Sequence, residues 1–192
     1  MAVIYAASLE EERGREPAAL DRYIKGTARG DRDAFARLYG AASGAVYAYA
    51  LSVTKCSQDA EDVLHDCFLN IYHAAPAYKS AGKPMAWIMT ITKNLCLHAL
   101  RDQRRRAILP EEDWERFLQE REELNAEDRL TVRACMEQLK DEERRIMILH
   151  AVAGFRHREI AEFLDLPLST VLSRYSRAAG KLKTILEKEN FS

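Results

Sequence analysis

From Asp33 onward the apolar residues fall three or four positions apart, and that rhythm, more than anything else, limits what this chain can fold into. Phe35, Leu38, Tyr39, Ala42, Val46, Tyr49, Ala50 and Val53 trace one side of a long helix. Ala60, Val63, Leu64, Cys67, Phe68 and Ile71 trace a second, with Ser57 placed to cap it and Asp59, Asp62, His65, Asp66 and Asn70 on the opposite, polar side. Pro76, Gly82 and Pro84 interrupt the pattern, and Pro84 is suited to begin a third helix that buries Trp87, Ile88, Ile91, Leu95 and His98 or Ala99. A weaker helix surrounds Leu20 to Ile24. β-branched runs are short and glycine and proline are sparse, so strands are not expected. The expected fold is all-α.

Two helical domains and a connector account for the 192 residues. The first closes a small bundle over 15–106. The stretch 107–128, "AILPEEDWERFLQEREELNAED", is strongly acidic and reads as a linker. Over 129–190 a second bundle follows, with Val132, Cys135, Met136 and Leu139 in one short helix and Ile146, Met147, Leu149 and Val152 in the next. The formal net charge of -1 conceals this layout. Basic "RDQRRR" precedes the acidic stretch, and Arg174, Arg177, Lys181 and Lys183 come after it; nucleic acid responds to such local fields more than to a total.

Several function classes are disfavoured. No apolar run approaches a membrane span, and the amino terminus turns acidic without a basic leader, so a cytoplasmic protein is expected. Cys56, Cys67, Cys96 and Cys135 form no C-x-x-C pair and read as reduced, buried thiols. The pairs Cys96/His98 and His65/Cys67 are two residues apart and do not face one another on a helix, so no metal site or cofactor is expected. His65, His73, His98, His150 and His157 lie on separate segments with no H-E-x-x-H or nucleophile motif, which argues against an enzyme.

"RHREIAEFLDLPLSTVLSRYSR", residues 156 to 177, carries the chemistry. A DNA-binding helix-turn-helix needs a small residue where its helices cross, a turn residue tolerant of positive φ, and an apolar anchor under the second helix. Ala161, Asp165 and Val171 stand at those places. Thr170, Ser173, Arg174 and Arg177 are then the outward readers and phosphate contacts, with Lys181 and Lys183 adding salt-dependent affinity for the DNA backbone.

Three segments resemble the extracytoplasmic-function sigma factors of bacterial RNA polymerase, from about Leu20 to Glu187. "DAEDVLHDCFLNIY" resembles that family's D-A-E-D-hydrophobic-hydrophobic-Q-E-x-F helix. "WIMTITKNLCLHALRDQRRR" resembles W-L-x-x-I-A-R-N-x-x-x-D-x-x-R-R-x-R, and "REIAEFLDLPLSTVLSR" resembles E-I-A-E-x-L-G-I-P-x-G-T-V-x-S-R. The resemblance implies a promoter-specificity factor. Asp59, Asp62, His65 and Asp66 would dock on the clamp helices of the polymerase β' subunit. Tyr78, Lys79, Ser80, Trp87, Lys93, Asn94, Arg101, Arg104 and Arg105 would capture and melt the -10 element, Tyr78 to Ser80 holding a flipped base. The second domain would read the -35 element as duplex and approach the β flap. The acidic linker would thread near the RNA exit path. An anti-sigma factor is the implied regulator, and a monomer the implied state.

Opening about ten base pairs at roughly 1.4 kcal/mol per step costs on the order of 14 kcal/mol, more than a loop and a helix supply, so the polymerase must share it. Against the family pattern, His65 and Asp66 replace Q-E, Lys93 stands for Arg and His98 for Asp. Leu172 stands where Lys or Arg is frequent, and Ser176 where an aromatic or His is; Gly180 weakens its helix by about 1 kcal/mol relative to Ala. A rival reading, a helix-turn-helix regulator with a ligand-sensing first domain, predicts a sizeable apolar pocket and a dimer.

Overall fold

The computed structural model describes residues 16–106 and 126–189, and the described residues are helical, without strands. Four helices come first: α1 (Glu16–Ala28), α2 (Arg32–Thr54), α3 (Ser57–Ala74) and, after a 3-10 turn at Ala75–Ala77, α4 (Pro84–Arg106). Four more follow: α5 (Ala126–Gln138), α6 (Asp141–Ala151), α7 (His157–Leu164) and α8 (Leu168–Glu189). The acidic residues 107–125 lie outside the described residues. α5 begins inside the stretch expected to be linker.

Local chemistry sets the helix ends. Asp31 caps α2, its carboxylate accepting from the amides of Asp33 and Ala34 at 3.0 Å each. The same helix stops at Lys55, which takes the left-handed conformation (φ 55°) and donates its amide to the Leu51 carbonyl. One extended residue, Cys56, then precedes α3. Ser57 is therefore already helical and does not cap as expected; the two-residue connection puts Cys56 at the cap position, where it makes no side-chain bond.

Leu20 and Ile24 from α1, Leu38 and Val46 from α2, Val63 and Ile71 from α3, and Ile88 and Met89 from α4 meet in the first core. The buried stripe of α4 differs from the expected one: Ile88, Met89, Thr92, Cys96 and Gln103 are enclosed, Trp87, Ile91 and Leu95 only half-buried, and His98 exposed. Thr92 can sit inside because its hydroxyl donates to the Ile88 carbonyl (3.1 Å) and faces the Cys67 sulfur (3.3 Å).

α2 is enclosed on every side from Ala45 to Leu51, because α6 of the second bundle packs against the side that the first bundle leaves open. Ala45, Ala48 and Ala50 let the neighbouring backbones approach. Sandwiched between α2 and α8, α6 in turn buries Ile146, Ile148 and Leu149 completely, while Val152, expected inside, is exposed beyond its last turn. Polar contacts rim this junction. Lys55 pairs with Asp141 (2.5 Å) and Lys83 with Glu159 (3.0 Å). The Phe163 ring meets Tyr49 edge-on (5.6 Å), and Lys93 donates to the Phe163 carbonyl (2.5 Å) while lying over its ring.

Candidate nucleic-acid interface

α7 and α8 form the helix-turn-helix. Asp165 closes α7 in the left-handed region (φ 56°, ψ 48°); its amide bonds the Glu162 carbonyl and the Leu166 amide the Ala161 carbonyl, the paired arrangement of a Schellman turn. Pro167 follows, and its carbonyl accepts from Thr170 and Val171 to start α8. Val171 is fully buried and Ala161 nearly so, which fixes the crossing of the two helices. These three residues do what their sequence positions predicted.

The outward face of α8 is narrower than the sequence suggested. Ser169, Leu172, Ser173, Ser176 and Arg177 are exposed, and Thr170 is half-buried. Arg174 and Lys181 turn inward instead. Arg174 is 22% exposed and pairs with Glu142 at 2.8 Å, while Lys181 pairs with the buried Glu143 at 2.6 Å and reaches the Gln138 carbonyl. The cause is the acidic start of α6, Asp141 to Glu143, which lies under α8 and draws its cations. Burial alone would raise the Glu143 carboxyl; Lys181 and the Lys140 amide outweigh it and hold the group below its ordinary value.

In the first bundle, Tyr78 packs on Trp87 (centroids 4.8 Å apart), leaving Lys79 and Ser80 exposed in the loop before α4. Burial first, and the Asp21 carboxylate second, push the Tyr78 phenol up to about 12, so it stays neutral. Asp21 on α1 lies near this loop without a hydrogen bond to the Tyr78 hydroxyl, and Lys25 one turn on holds its carboxyl below the ordinary range. Sequence reasoning missed Asp21; the i, i+4 pair with Lys25 was the available signal. Asn94 and Arg101 share the exposed side of α4. Lys93 does not join them, being held at the junction with α7. Arg104 and Arg105 close α4, and their side chains lie outside the described residues.

On α3, Asp62, His65 and Asp66 are exposed, but Asp59 is not. It is 5% exposed and accepts a hydrogen bond from Gln103, whose amide also donates to the Thr54 carbonyl at 2.8 Å. Asp59 therefore ties α3 to α4 rather than facing outward, a correction to the expected docking face. Leu69 stands among the remaining polar residues, with Tyr39 and Tyr72 beside it, all three exposed. A mixed acidic and apolar face of this kind suits a protein partner.

The rival reading required a ligand pocket. At the junction of the bundles, among Leu20, Pro84, Met85 and Phe155, is an apolar cavity of about 100 Å³, well short of the usual range for small-molecule sites, and the roomier one of about 430 Å³ between α1 and α2 is lined by Arg22, Arg29, Asp31, Asp33 and Arg37, so it is not the apolar pocket that reading needs.

Family models agree with the helix-turn-helix assignment and extend it across the chain: "Sigma-70 region 2" matches residues 38–106 and "Sigma-70, region 4" matches residues 129–182. The chain belongs to the sigma-70 family. Within it the relatives are of the extracytoplasmic-function group, and the chain is an RNA polymerase promoter-specificity factor. The ECF RNA polymerase sigma factor SigM of Mycobacterium tuberculosis is 25% identical over 173 residues, spanning 90% of this chain and 87% of the relative. SigK of Mycobacterium ulcerans is 25% identical over 175 residues, spanning 88% and 94%. Two solved structures share the fold. CnrH in complex with the cytosolic domain of CnrY has a TM-score of 0.55 and 23% identity, covering 88% of this chain and 98% of that one. The sigma factor RpoE in complex with the anti-sigma factor NepR from Bartonella quintana has a TM-score of 0.57 and 20% identity, covering 80% and 96%. Among the described residues of this sigma factor no helix is long and apolar enough to cross a membrane.

Proposed function

We propose that this sigma factor divides its work between the two bundles. Residues 129–190 read the -35 element as duplex, residues 15–106 bind core polymerase and open the -10 element, and the acidic segment 107–128 joins them. The observation that carries this reading is the helix-turn-helix turn at Asp165, which leaves Ser173, Ser176 and Arg177 projecting from α8. Thr170, half-buried beside them, contributes from the edge of that face. Arg174 and Lys181 set the attitude of α8 through Glu142 and Glu143 and contribute to DNA chiefly as nearby charge.

In the first bundle, exposed Lys79 and Ser80 next to the Tyr78–Trp87 pair, and exposed Asn94 and Arg101 further along α4, take the separated strand, with Arg104 and Arg105 supplying charge at the end of α4. Asp62, His65 and Asp66, around Leu69, form the face for the β' clamp helices. The second bundle meets the β flap. The protein acts as a cytoplasmic monomer with no catalytic residue of its own, and an anti-sigma factor holds it inactive, as NepR accompanies the RpoE relative.

Reading both elements requires the bundles to part. Twenty-five base pairs separate positions -35 and -10, roughly 85 Å along duplex DNA. A folded chain of this length is only about 40 Å across. The α2–α6 junction must then open, which frees Lys93 from Phe163 to join Asn94 on the strand. Asn94→Ala tests the assignment: opening of the start site, followed by permanganate reactivity of unpaired thymines, should fall while core binding persists. Asp62→Ala with Asp66→Ala should do the reverse. Loss of core binding in Asn94→Ala would overturn these roles.

A further inference from the structure

Leu172 is 45% exposed on α8, one turn past Leu168 and about a third of the way round the helix from fully buried Val171 and Ala178. Its neighbours on the exposed side are Ser169, Ser173 and Ser176, whose short side chains let the helix sink into a major groove, with Arg177 a turn further on. Leu172 is the longest apolar group on a face that is otherwise hydroxyls and one guanidinium. A leucine cannot satisfy the donors and acceptors that adenine, guanine and cytosine present in the major groove. The only apolar group displayed there is the C5-methyl of thymine. Set against any other base, it would strip water from a polar edge and return nothing.

We propose that Leu172 is a specificity residue that selects thymine at one position of the upstream promoter element by contact with its methyl group. The inference rests on the reading of α8 as the duplex-reading helix and names what one position of that helix recognises. Ser173 and Ser176 beside it bond either to bases or to phosphate without strong preference, so the thymine becomes a principal constraint on the sequence read, together with a guanine under Arg177.

The test uses the full chain assembled with core polymerase and a promoter library randomised over both elements, selected by transcription. Selected promoters should share an upstream thymine. Replacing that base by deoxyuridine removes only the methyl and should weaken upstream binding by about fourfold. Leu172→Ala should bind both versions alike, and Leu172→Lys should shift the selected base from thymine to guanine. Equal binding of thymine and deoxyuridine promoters by the unaltered protein, or discrimination that survives in Leu172→Ala, overturns the inference while leaving the promoter-reading function intact. Failure of the holoenzyme to select any promoter overturns that function, and this inference with it.

Discussion

Asp59→Ala separates a structural carboxylate from a docking one. The Asp59 carboxylate lies in the first turn of α3, buried, and accepts from the Gln103 amide. Removing it forfeits a hydrogen bond to a charged group, about 1.5–3 kcal/mol. Loss of a negative charge at a helix amino terminus adds about 0.3–1 kcal/mol. Gln103 keeps its bond to the Thr54 carbonyl, so the damage is not compounded by a fully orphaned amide. A total near 3 kcal/mol lowers the melting temperature of a chain this size by roughly 10 °C. Scanning calorimetry of the purified protein gives the shift, and binding to core polymerase at 15 °C, where the variant remains folded, gives the affinity. The expected result is a large loss of stability with core affinity within about twofold of the unaltered protein. Asp62→Ala with Asp66→Ala should show the opposite. A thermal shift under about 2 °C in Asp59→Ala together with lost core binding would refute the burial argument.

Three further outcomes follow from the same contacts. Arg177→Ala should weaken upstream promoter binding by about tenfold or more, whereas Arg174→Ala, which breaks an intramolecular pair with Glu142, should cost less affinity and under about 1 kcal/mol of stability; competition binding and denaturant titration measure the two. Lys55 holds the Asp141 carboxyl below its ordinary value, and the Arg156 amide and Lys83 do so for Glu159 against the effect of burial. Depressed folded values mean that this stabilisation is present above the unfolded values and is lost as pH falls through the folded ones. The junction should hold from pH 7 to 5 and loosen below about pH 4, seen as a rise in the radius of gyration by small-angle scattering. Burial pushes the Cys67 thiol up to about 11 and Cys96 to about 12, so at pH 8 a thiol reagent should label half-buried Cys56 first, the other three cysteines reacting only after unfolding.

Features governed by local chemistry were legible in the sequence. The turn at Asp165, the anchors Ala161 and Val171, and the helix start at Pro84 each follow from one residue's conformational range or size. What escaped depended on partners remote along the chain. Asp59 shares the spacing of the polar side of α3, and nothing near it announces Gln103, 44 residues later, as its partner. Arg174 and Lys181 read as free cations because Glu142 and Glu143, which claim them, belong to another helix. The alanines of α2 carry too little hydropathy to reveal that the helix is covered on a second side by α6. Lys93 fits a strand-binding motif and is held instead by a backbone carbonyl of α7.

Run-off transcription with purified core polymerase, on templates from a randomised promoter library, tests the central claim most directly. Addition of this protein should produce transcripts of defined length from promoters that share an upstream and a downstream element at fixed spacing, with none from core alone. Absence of promoter-specific transcripts, together with no association between this protein and core polymerase, would contradict the account.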